Sequence, residues 1–342
     1  MHRCLALAKL GAGNVAPNPM VGSVLVHDGH IIGEGYHKKY GEAHAEVHCI
    51  NQAIANGHSE KISRSVLYVS LEPCAHFGKT PPCADLIIRH NIPTVVVGCR
   101  DPFKEVNGKG IEKLQAAGIT VEQEVLGKEC KVLNKRFFTF HTEHRPYIIL
   151  KWAQTEDGFI SSANNTNQRL LISNELTNRL VHKWRSEEAA ILAGTNTVER
   201  DNPELTTRLW PGHSPVRLVV DMHLRLSPAS KIFNGSVRTI VFNAIKHEES
   251  PELSYYQVTG DVSLVHQLLN ALYQLKIQSV IIEGGAKLLQ SFIDEQAWDE
   301  ARVITNTQLK ITNGLPAPSL LNCALTDTRA ILADTIRVFA RN

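Results

Sequence analysis

The sequence predicts an α/β protein built from two domains. A chain of 342 residues is longer than one ordinary hydrophobic core requires. Runs with the periodicity of strands and of helices alternate along most of the chain. A polar segment at 142–146 (TEHRP) interrupts this alternation, so we expect one domain over residues 1–143 and a second over residues 144–342.

The elements of the first domain follow in chain order. Residues 22–26 and 31–35 flank Asp28-Gly29, which favours a two-residue hairpin turn. Residues 44–56 have apolar side chains on one helical face and end before Gly57, so a helix is expected there. The pattern also predicts strands at 66–71 and 94–97, and helices at 83–90, 110–117 and 128–140. Helices that cover a sheet form a layered α/β sandwich.

The second domain repeats the alternation. Strands are predicted at 147–150, 190–193, 216–221, 239–243 and 279–283, and helices at 174–184, 264–275 and 287–293. The strand at 279–283 runs through Gly284-Gly285 into a helix. Such a turn can bind phosphate through the backbone N–H groups of the helix start. Tight packing is the commoner use of a glycine turn, and the turn alone leaves both interpretations open.

Composition narrows the class of protein. Hydrophobic residues make up 43% and charged residues 20%, as in soluble globular proteins, and no apolar run reaches the length of a transmembrane helix. The N-terminus lacks the features of a signal peptide, so we expect a cytoplasmic protein. A net charge of +2, without a basic stripe, argues against a nucleic-acid partner. Seven cysteines, an odd number, favour metal ligation or burial over a disulfide framework.

Three residues have the types and the order of a catalytic zinc site. His44 opens the predicted helix at 44–56, Cys74 follows a strand, and Cys83 opens the next helix. One imidazole and two thiolates leave the fourth position of tetrahedral zinc for water, whose pKa zinc lowers to about 7. Glu46, two residues after His44, is near the metal without binding it. Its carboxylate can carry a proton from water to a departing amine, the role of the glutamate in the H-x-E motif of zinc deaminases.

Other interpretations of these residues are weaker. Cys74 or Cys83 alone fits a buried thiol. His44 and His48 have the spacing of H-E-x-x-H metalloproteases, but that motif requires glutamate directly after the first histidine, where this chain has Ala45. A binding protein with structural zinc is an alternative, although such sites usually have four protein ligands. An RNA-editing deaminase is another, and the low net charge argues against it.

Six segments resemble the bifunctional riboflavin-biosynthesis deaminase–reductase family. In the first domain they are PNPMVG at 17–22, GEAHAEV at 41–47 and LEPCAHFGKTPPC at 71–83. The ten-residue stretch from Cys74 to Cys83 departs from the short C-x-x-C of most nucleotide deaminases and is characteristic of this family. In the second domain they are KWAQTEDG at 151–158, AILAGTNTV at 190–198 and DNPELTTR at 201–208. The resemblance covers nearly the whole chain.

The resemblance implies a three-layer cytidine-deaminase-like domain followed by a dihydrofolate-reductase-like α/β domain. It implies zinc-dependent hydrolytic deamination of 2,5-diamino-6-(5-phosphoribosylamino)pyrimidin-4-one, then NADPH-dependent reduction of the ribosyl side chain to ribityl. The expected cofactors are therefore Zn²⁺ and NADPH. The expected partner is a small pyrimidine ribosyl phosphate, with no nucleic acid and no membrane. A homo-oligomer is also expected, because closed homo-oligomers are common among soluble enzymes.

In the first domain the resemblance implies substrate contacts by Asn18, Lys79 and Thr80. The amide of Asn18 offers both a donor and an acceptor to the edge of a pyrimidine ring. Lys79, backed by Thr80, can act as a point charge on a substrate phosphate. A solvated loop lysine is the alternative at that position.

In the second domain the resemblance implies separate cofactor and substrate contacts. The residues expected to contact NADPH are Gln154, Thr197, Asp201, Gly285, Ala286, Lys287, Leu288, Leu289 and Gln290. Those expected to line the substrate are Arg185, Leu205, Arg208 and Glu283. Lys151 and Glu283 are both candidates for moving protons at the reduced carbon, and the sequence does not choose between them. Leu171-Ile172 and Met222 depart from the family pattern, so a preference for NADPH over NADH follows from the resemblance alone.

Overall fold

The computed structural model describes residues 1–77, 81–163 and 170–342. Within these residues the chain forms two compact units, Met1–His144 and Arg145–Asn342. Lys79 and Thr80, the predicted phosphate ligands of the first domain, lie outside the described residues. No helix in the described ranges is long and apolar enough to cross a lipid bilayer. The seven cysteines are all free thiols.

The first unit is a sheet with helices on both faces. Its strands are β1 (Gly22–His27), β2 (His30–Tyr36), β3 (Val66–Val69), β4 (Thr94–Val97) and β5 (Thr120–Glu122). Its helices are α1 (His2–Ala8), α2 (Ala45–Ala55), α3 (Cys83–Arg89), α4 (Lys109–Ala116), α5 (Gly127–Leu133) and α6 (Lys135–Glu143). The strand order is β2-β1-β3-β4-β5, with β1 antiparallel to both neighbours and the last three strands parallel.

The hairpin predicted around Asp28-Gly29 is confirmed. β1 and β2 pair antiparallel on either side of the turn, and the φ angles of Asp28 and Gly29 are 47° and 75°. Positive φ at both central residues gives the turn whose twist matches that of a hairpin. The turn therefore sets the register of β2, on which α2 rests.

α2 lies directly on β2. A side chain at Gly35 would overlap the carbonyl oxygen of Ala45, the first residue of α2. Only glycine allows the backbone of the helix start to approach the strand this closely. This contact positions the first turn of α2, which carries two of the predicted site residues.

The sheet buries apolar side chains on both faces, which produces three layers. Leu25 and Val24, neighbours on β1, belong to different cores, as the alternation of side chains along a strand requires. The core with Leu25 includes residues of α2, α3 and α4. On the opposite face Leu7 of α1 and Cys130 of α5 are buried. The predicted α/β sandwich is confirmed.

The single helix predicted at 128–140 is wrong in one respect, because the structure has two helices, α5 and α6, separated at Asn134. The side chain of Asn134 accepts a hydrogen bond from the N–H of Met20 at 2.8 Å and donates to its carbonyl oxygen at 2.9 Å. Asparagine readily leaves helical geometry to make such side-chain bonds. These hydrogen bonds therefore connect Met20, two residues after Asn18, to the break between α5 and α6.

The second unit contains a larger mixed sheet and a small two-stranded sheet. Its strands are β6 (Tyr147–Thr155), β7 (Phe159–Ser162), β8 (Ala190–Gly194), β9 (Val216–Val220), β10 (Thr239–Asn243), β11 (Leu253–Gln257), β12 (Ser279–Glu283), β13 (Glu300–Asn306), β14 (Gly314–Pro316), β15 (Cys323–Ile331) and β16 (Asp334–Arg341). Its helices are α7 (Glu175–Glu187), α8 (Thr195–Asp201), α9 (Leu264–Gln274) and α10 (Ala286–Asp294). Every strand and helix predicted from the sequence in this unit is present, with ends that are unchanged or shifted by a few residues.

The order of the strands determines where this unit can bind a ligand. The main sheet runs β11-β10-β9-β8-β12-β6-β13-β16-β15, parallel from β11 to β13 and antiparallel at β16 and β15. β12 lies between β8 and β6, so the chain reverses its direction of travel across the sheet beside these strands. Ligands of parallel α/β sheets bind at the carboxyl ends of strands next to such a reversal. The ends of β6, β8 and β12 are therefore the expected site.

Both faces of the central strands are buried. One core packs under α9 and α10, and the other packs under α7.

All four tryptophans of the chain belong to this unit. They are Trp152, Trp184 and Trp298, which are buried, and Trp210, which is 41% exposed.

Candidate metal centre and reductase site

Three side chains meet at the starts of α2 and α3. The Nδ1 atom of His44 lies 3.6 Å from the sulfur of Cys74 and 3.4 Å from the sulfur of Cys83. They form the one group of three potential metal ligands found among the described residues. His44 is the N-cap of α2, and Cys83 is the first residue of α3. The three predicted ligands thus come from separate elements to one point.

The spacing of these atoms fits a zinc ion. Tetrahedral zinc, with Zn–N of about 2.0 Å and Zn–S of about 2.3 Å, holds nitrogen and sulfur ligands about 3.5 Å apart. The observed separations are 3.6 and 3.4 Å. Residues 78–80 and 164–169 contain no histidine, cysteine, aspartate or glutamate. A structural site with four protein ligands therefore does not fit, whereas a site with an open coordination position does.

The pKa values of the two cysteine thiols are shifted in opposite directions. A hydrogen bond from the Cys83 thiol lowers the pKa of Cys74, and the backbone N–H of Cys83, 3.3 Å from the Cys74 sulfur, adds to this effect. The same thiol–thiol bond, together with burial, raises the pKa of Cys83. Zinc binds thiolates, so occupation of the site would release the proton that the pair shares.

Glu46 lies in the first turn of α2, and only 3% of its surface is exposed. Burial raises the pKa of its carboxyl above the ordinary value, and His44 opposes the shift. The carboxyl is within hydrogen-bond reach of the Cys83 thiol. A buried carboxyl that adjoins the ligands is well placed to accept and return a proton.

A histidine that the sequence analysis did not identify orders the predicted substrate residue Asn18. The Nε2 atom of buried His37 lies 3.1 Å from Nδ2 of Asn18, and its Nδ1 atom lies 3.1 Å from the carbonyl oxygen of Ala43. Because the amide nitrogen donates, His37 accepts at Nε2 and donates from Nδ1. Burial lowers the pKa of His37, which favours this neutral form. A histidine outside any motif gives no spacing signal, so the sequence does not reveal this pair.

His76 follows Cys74 and precedes the predicted phosphate ligands at 79 and 80. Its ring packs edge-on against Phe103, with centroids 6.1 Å apart. Its Nδ1 atom is buried and has no hydrogen-bond partner within the described part of the chain. The geometry of the predicted phosphate contacts lies outside the described residues.

In the second unit three charged side chains occupy one row across neighbouring strands. Glu283 of β12 and Arg302 of β13 are both in register with Lys151 of β6. The Nζ atom of Lys151 lies 3.5 Å from Oε2 of Glu283, and both side chains are at most 13% exposed. Arg185 of α7 donates to both carboxylate oxygens of Glu283, at 2.8 and 2.7 Å. One buried carboxylate thus faces two cations.

These cations determine the charge of Glu283. Burial alone would raise its pKa, but Arg185 and Lys151 outweigh burial and lower the pKa to about 2. Glu283 is therefore a carboxylate at neutral pH and has no proton to donate. Arg185, predicted to bind substrate, is itself held by Glu283 and by the carbonyl oxygen of Thr206 at 3.2 Å.

His182, also absent from the sequence predictions, holds the loop that carries Arg208. Its Nδ1 atom accepts hydrogen bonds from the backbone N–H groups of Arg208 and Leu209, at 3.0 and 3.4 Å. His182 is buried, whereas Arg208 is exposed. The backbone is anchored while the guanidinium of Arg208 remains accessible, as a phosphate ligand requires.

Some of the predicted cofactor residues come together at the carboxyl ends of β8 and β12. A Cβ atom at Gly284 would lie 2.9 Å from Cγ2 of Thr197, and one at Gly285 would lie 3.7 Å from Cβ of Leu288. Ala286 and Lys287 form the first turn of α10, immediately after the glycine turn. Asp201 ends α8 and is exposed. A strand that turns through two glycines into a helix fits the phosphate groups of a dinucleotide.

Other predicted residues face elsewhere. The side chains of Leu205 and Leu289 are buried in hydrophobic cores, so only their backbone can meet a ligand. Gln290 accepts from the N–H of Ser319 and donates to Asp294, and Gln154 accepts from the indole of Trp152 at 2.8 Å. Met222 packs against the core and supplies no hydroxyl near the cofactor residues.

The two sites define a class of protein, an enzyme that joins a cytidine-deaminase-like zinc unit to a reductase unit. Residues 1–99 match the family model of the cytidine and deoxycytidylate deaminase zinc-binding region. Residues 146–308 match the family model of the RibD C-terminal domain.

Relatives over nearly the full length identify the family. Riboflavin biosynthesis protein RibD of Aquifex aeolicus is 41% identical over 304 residues, which are 87% of this chain and 83% of the relative. The solved deaminase/reductase of Thermotoga maritima has a TM-score of 0.89 at 36% identity, covering 100% of this chain and 97% of that chain. RibD of Acinetobacter baumannii has a TM-score of 0.88 at 30% identity with the same coverage. The chain belongs to the RibD family and is a bifunctional deaminase and reductase of riboflavin biosynthesis.

Membership of this family confirms the fold class and the pair of activities expected from the sequence. The first unit is cytidine-deaminase-like and the second is the RibD reductase fold, similar to dihydrofolate reductase. A metalloprotease, an RNA-editing deaminase and a binding protein with structural zinc are excluded by the match of both units to one enzyme family.

Proposed function

We propose that the first domain, residues 1–143, hydrolytically deaminates 2,5-diamino-6-(5-phosphoribosylamino)pyrimidin-4-one, and that the second, residues 144–342, reduces the product with NADPH. The 36%-identical relative from Thermotoga maritima is described as a diaminohydroxyphosphoribosylaminopyrimidine deaminase and 5-amino-6-(5-phosphoribosylamino)uracil reductase. The observation that carries the proposal is the convergence of His44, Cys74 and Cys83 beside buried Glu46. We also propose that the enzyme is cytoplasmic and homo-oligomeric, and acts on this small molecule without nucleic acid or membrane.

In the deaminase site the protein supplies positioning and proton transfer. Zinc held by His44, Cys74 and Cys83 would provide the Lewis acidity that makes water a nucleophile at neutral pH. Glu46 takes a proton from the attacking water and returns it to the departing amine. Asn18, oriented by its hydrogen bond to His37, binds the edge of the pyrimidine, and Lys79 with Thr80 binds the phosphate.

In the reductase site the protein orients two ligands and places one proton. NADPH would supply the hydride, and the start of α10 together with Thr197 would hold the cofactor. Lys151 is the proton donor, because the pKa of Glu283, lowered to about 2, leaves that carboxyl without a proton. Glu283 holds Lys151 and Arg185 in place, and exposed Arg208 binds the phosphate of the substrate.

The deaminase assignment is tested by Glu46→Gln. The amide cannot carry the proton, so ammonia release should fall by about 10²–10⁴-fold while one zinc ion per chain is retained. The variant should reduce already deaminated substrate at the wild-type rate, as measured by the loss of NADPH absorbance. Ammonia release within a few-fold of wild type would remove Glu46 from the mechanism.

The reductase assignment is tested by Arg208→Ala, with Arg179→Ala as the matched control because Arg179 is an exposed arginine on α7. Loss of a phosphate contact should raise the KM of reduction by about tenfold or more, as expected for a charge-assisted bond of roughly 1.5–3 kcal/mol. Ammonia release should be unchanged in both variants. Equal loss of both activities in folded R208A would contradict separate sites.

A further inference from the structure

Glu72, two residues before Cys74, is a buried carboxylate with an unusual set of partners. It is 4% exposed. Its Oε2 atom accepts from the N–H groups of Asp101 and Gly108, at 3.2 and 2.9 Å. Its Oε1 atom accepts from those of Gly110 and Ile111, at 3.0 and 3.3 Å. No lysine, arginine or histidine in the described residues forms a salt bridge with it, so backbone N–H groups alone satisfy its charge.

Three of these N–H groups belong to the start of α4. Gly108 is the N-cap of this helix and has no side chain with which to cap it. The carboxylate of Glu72 takes that role from another part of the chain, where it also meets the positive end of the helix dipole. Backbone contact is close as well, because a side chain at Gly110 would overlap the carbonyl oxygen of Pro73. The residue that joins Glu72 to Cys74 is therefore held against α4.

α4 is also linked to the other cysteine ligand. Lys113 in its second turn forms an ion pair with Asp85 of α3 at 2.5 Å. Asp85 lies two residues after Cys83, the first residue of α3. One helix thus carries a link to each of the two cysteines, at its N-terminus through Glu72 and along its side through Asp85.

We propose that Glu72 is a positioning residue of the metal centre, which acts through α4 to set the separation of the Cys74 and Cys83 sulfurs. The inference rests on the zinc site proposed above. A carboxylate is required because two oxygens, each able to accept two bonds, meet four donors. In Glu72→Gln one oxygen becomes an amide nitrogen, which can only donate and would face the N–H groups of the helix start. The Pro73–Cys74 segment must then move, and the ligand sulfur moves with it.

The test compares zinc retention in wild type, Glu72→Gln and Glu112→Gln. Glu112 is an exposed acid in the first turn of the same helix, so its variant removes a charge near the dipole without touching Glu72. Zinc transfer to a chromogenic chelator should be about 10–100-fold faster or more complete in E72Q, the usual effect of losing a residue that orients a metal ligand. E112Q should match wild type.

Two further readouts separate positioning from general damage. The thiolate-to-metal absorption of the cobalt-substituted protein should shift in E72Q and not in E112Q. Without added zinc, E72Q should release ammonia with a lowered kcat and an unchanged KM. Excess zinc should restore that kcat. Wild-type zinc retention and cobalt spectrum in folded E72Q would overturn the inference.

A second variant covers the case in which E72Q does not fold. Lys113→Gln breaks the partly exposed link from α4 to α3 and leaves Glu72 intact. It should lose zinc about twofold to fivefold faster, the range that corresponds to an exposed ion pair. Unchanged zinc retention in K113Q would contradict the inference that α4 positions both cysteine ligands. A wild-type protein that binds no zinc would overturn the deaminase site itself.

Discussion

At the scale of single residues, His182 has a role that follows from one lone pair. Its Nδ1 atom accepts two backbone hydrogen bonds from the loop at 208–209, which is possible only for the neutral ring. Burial, and then the nearby Arg185 and Arg208, lower its pKa from 6.5 to about 4. The folded protein therefore resists protonation of His182, whereas the unfolded chain accepts a proton near pH 6.5.

Replacing His182 tests this role. Asparagine can present an acceptor near the position of Nδ1, whereas leucine cannot. His182→Leu should lose about 1–3 kcal/mol of stability, the cost of leaving buried donors unpaired, and should raise the KM of reduction. His182→Asn should retain most of both.

The pH dependence of His182 has a definite sign. Its folded pKa lies below its unfolded value, so its contribution to stability is complete above pH 6.5 and is lost as the pH falls toward 4. Urea unfolding of wild type should show this loss, and H182N should show less of it. Identical pH profiles for wild type and both variants would contradict the assignment.

The residues missed by the sequence analysis share a physical reason. His44, Cys74, Cys83 and Glu46 were predictable because metal chemistry requires particular residue types in a recognisable order. The hydrogen bonds of His182 and Glu72 to backbone groups, and that of His37 to the amide of Asn18, join residues far apart in sequence. No spacing rule encodes such contacts, since they depend on how separate elements pack.

At the scale of elements, the row formed by β12, β6 and β13 concentrates charge in a buried place. Glu283 is the anion between Lys151 and Arg185, and its pKa of about 2 compares with an ordinary value of 4.5. The depressed value means that its stabilising contribution is complete above pH 4.5 and is lost as the pH falls toward 2. The difference corresponds to about 3 kcal/mol.

Glu283→Gln should therefore destabilise the second unit by about 3–5 kcal/mol at pH 7, because two buried cations lose their counterion. It should also flatten the loss of stability between pH 4.5 and 2 that wild type shows. Calorimetry over that pH range measures both effects. Glu249→Gln, at a side chain 84% exposed, is the control and should change neither the stability at pH 7 nor its pH dependence. A pH profile of E283Q parallel to that of wild type would contradict the role of Glu283 as the counterion of Lys151 and Arg185.

Elements differ in how far their sequence predicts them. Strands such as β10 and β12 were predicted with their observed bounds, because burial on both faces gives each an uninterrupted apolar run at its middle. β15 was not predicted, since most of its side chains are exposed and it has no apolar face. β6 is longer than predicted because Lys151 and Gln154, polar residues of the proposed site, interrupt its apolar run.

At the scale of the whole molecule, the two sets of site residues belong to different compact units. The metal ligands and Glu46 lie in Met1–His144, and the charged row lies in Arg145–Asn342. The sequence predicts a domain boundary after residue 143, and the division into compact units follows residue 144. The polar segment at 142–146 is the observation on which that predicted boundary depends.

Removing zinc should therefore separate the two activities. A strong chelator should abolish ammonia release, while NADPH oxidation with already deaminated substrate continues at the rate of the untreated enzyme. Adding zinc back should restore ammonia release. A parallel fall in both rates after chelation would mean that the reductase depends on the metal-bearing unit.

The distribution of tryptophan allows the second unit, and not the first, to be followed by tryptophan fluorescence. All four indoles lie in the second unit, and Trp184 carries the guanidinium of Arg302 on its face, 4.7 Å from the ring centroid. Tryptophan emission from the intact enzyme thus comes from the reductase unit. Reduced nicotinamide absorbs where tryptophan emits, so quenching would follow cofactor binding in the full chain without any attached dye.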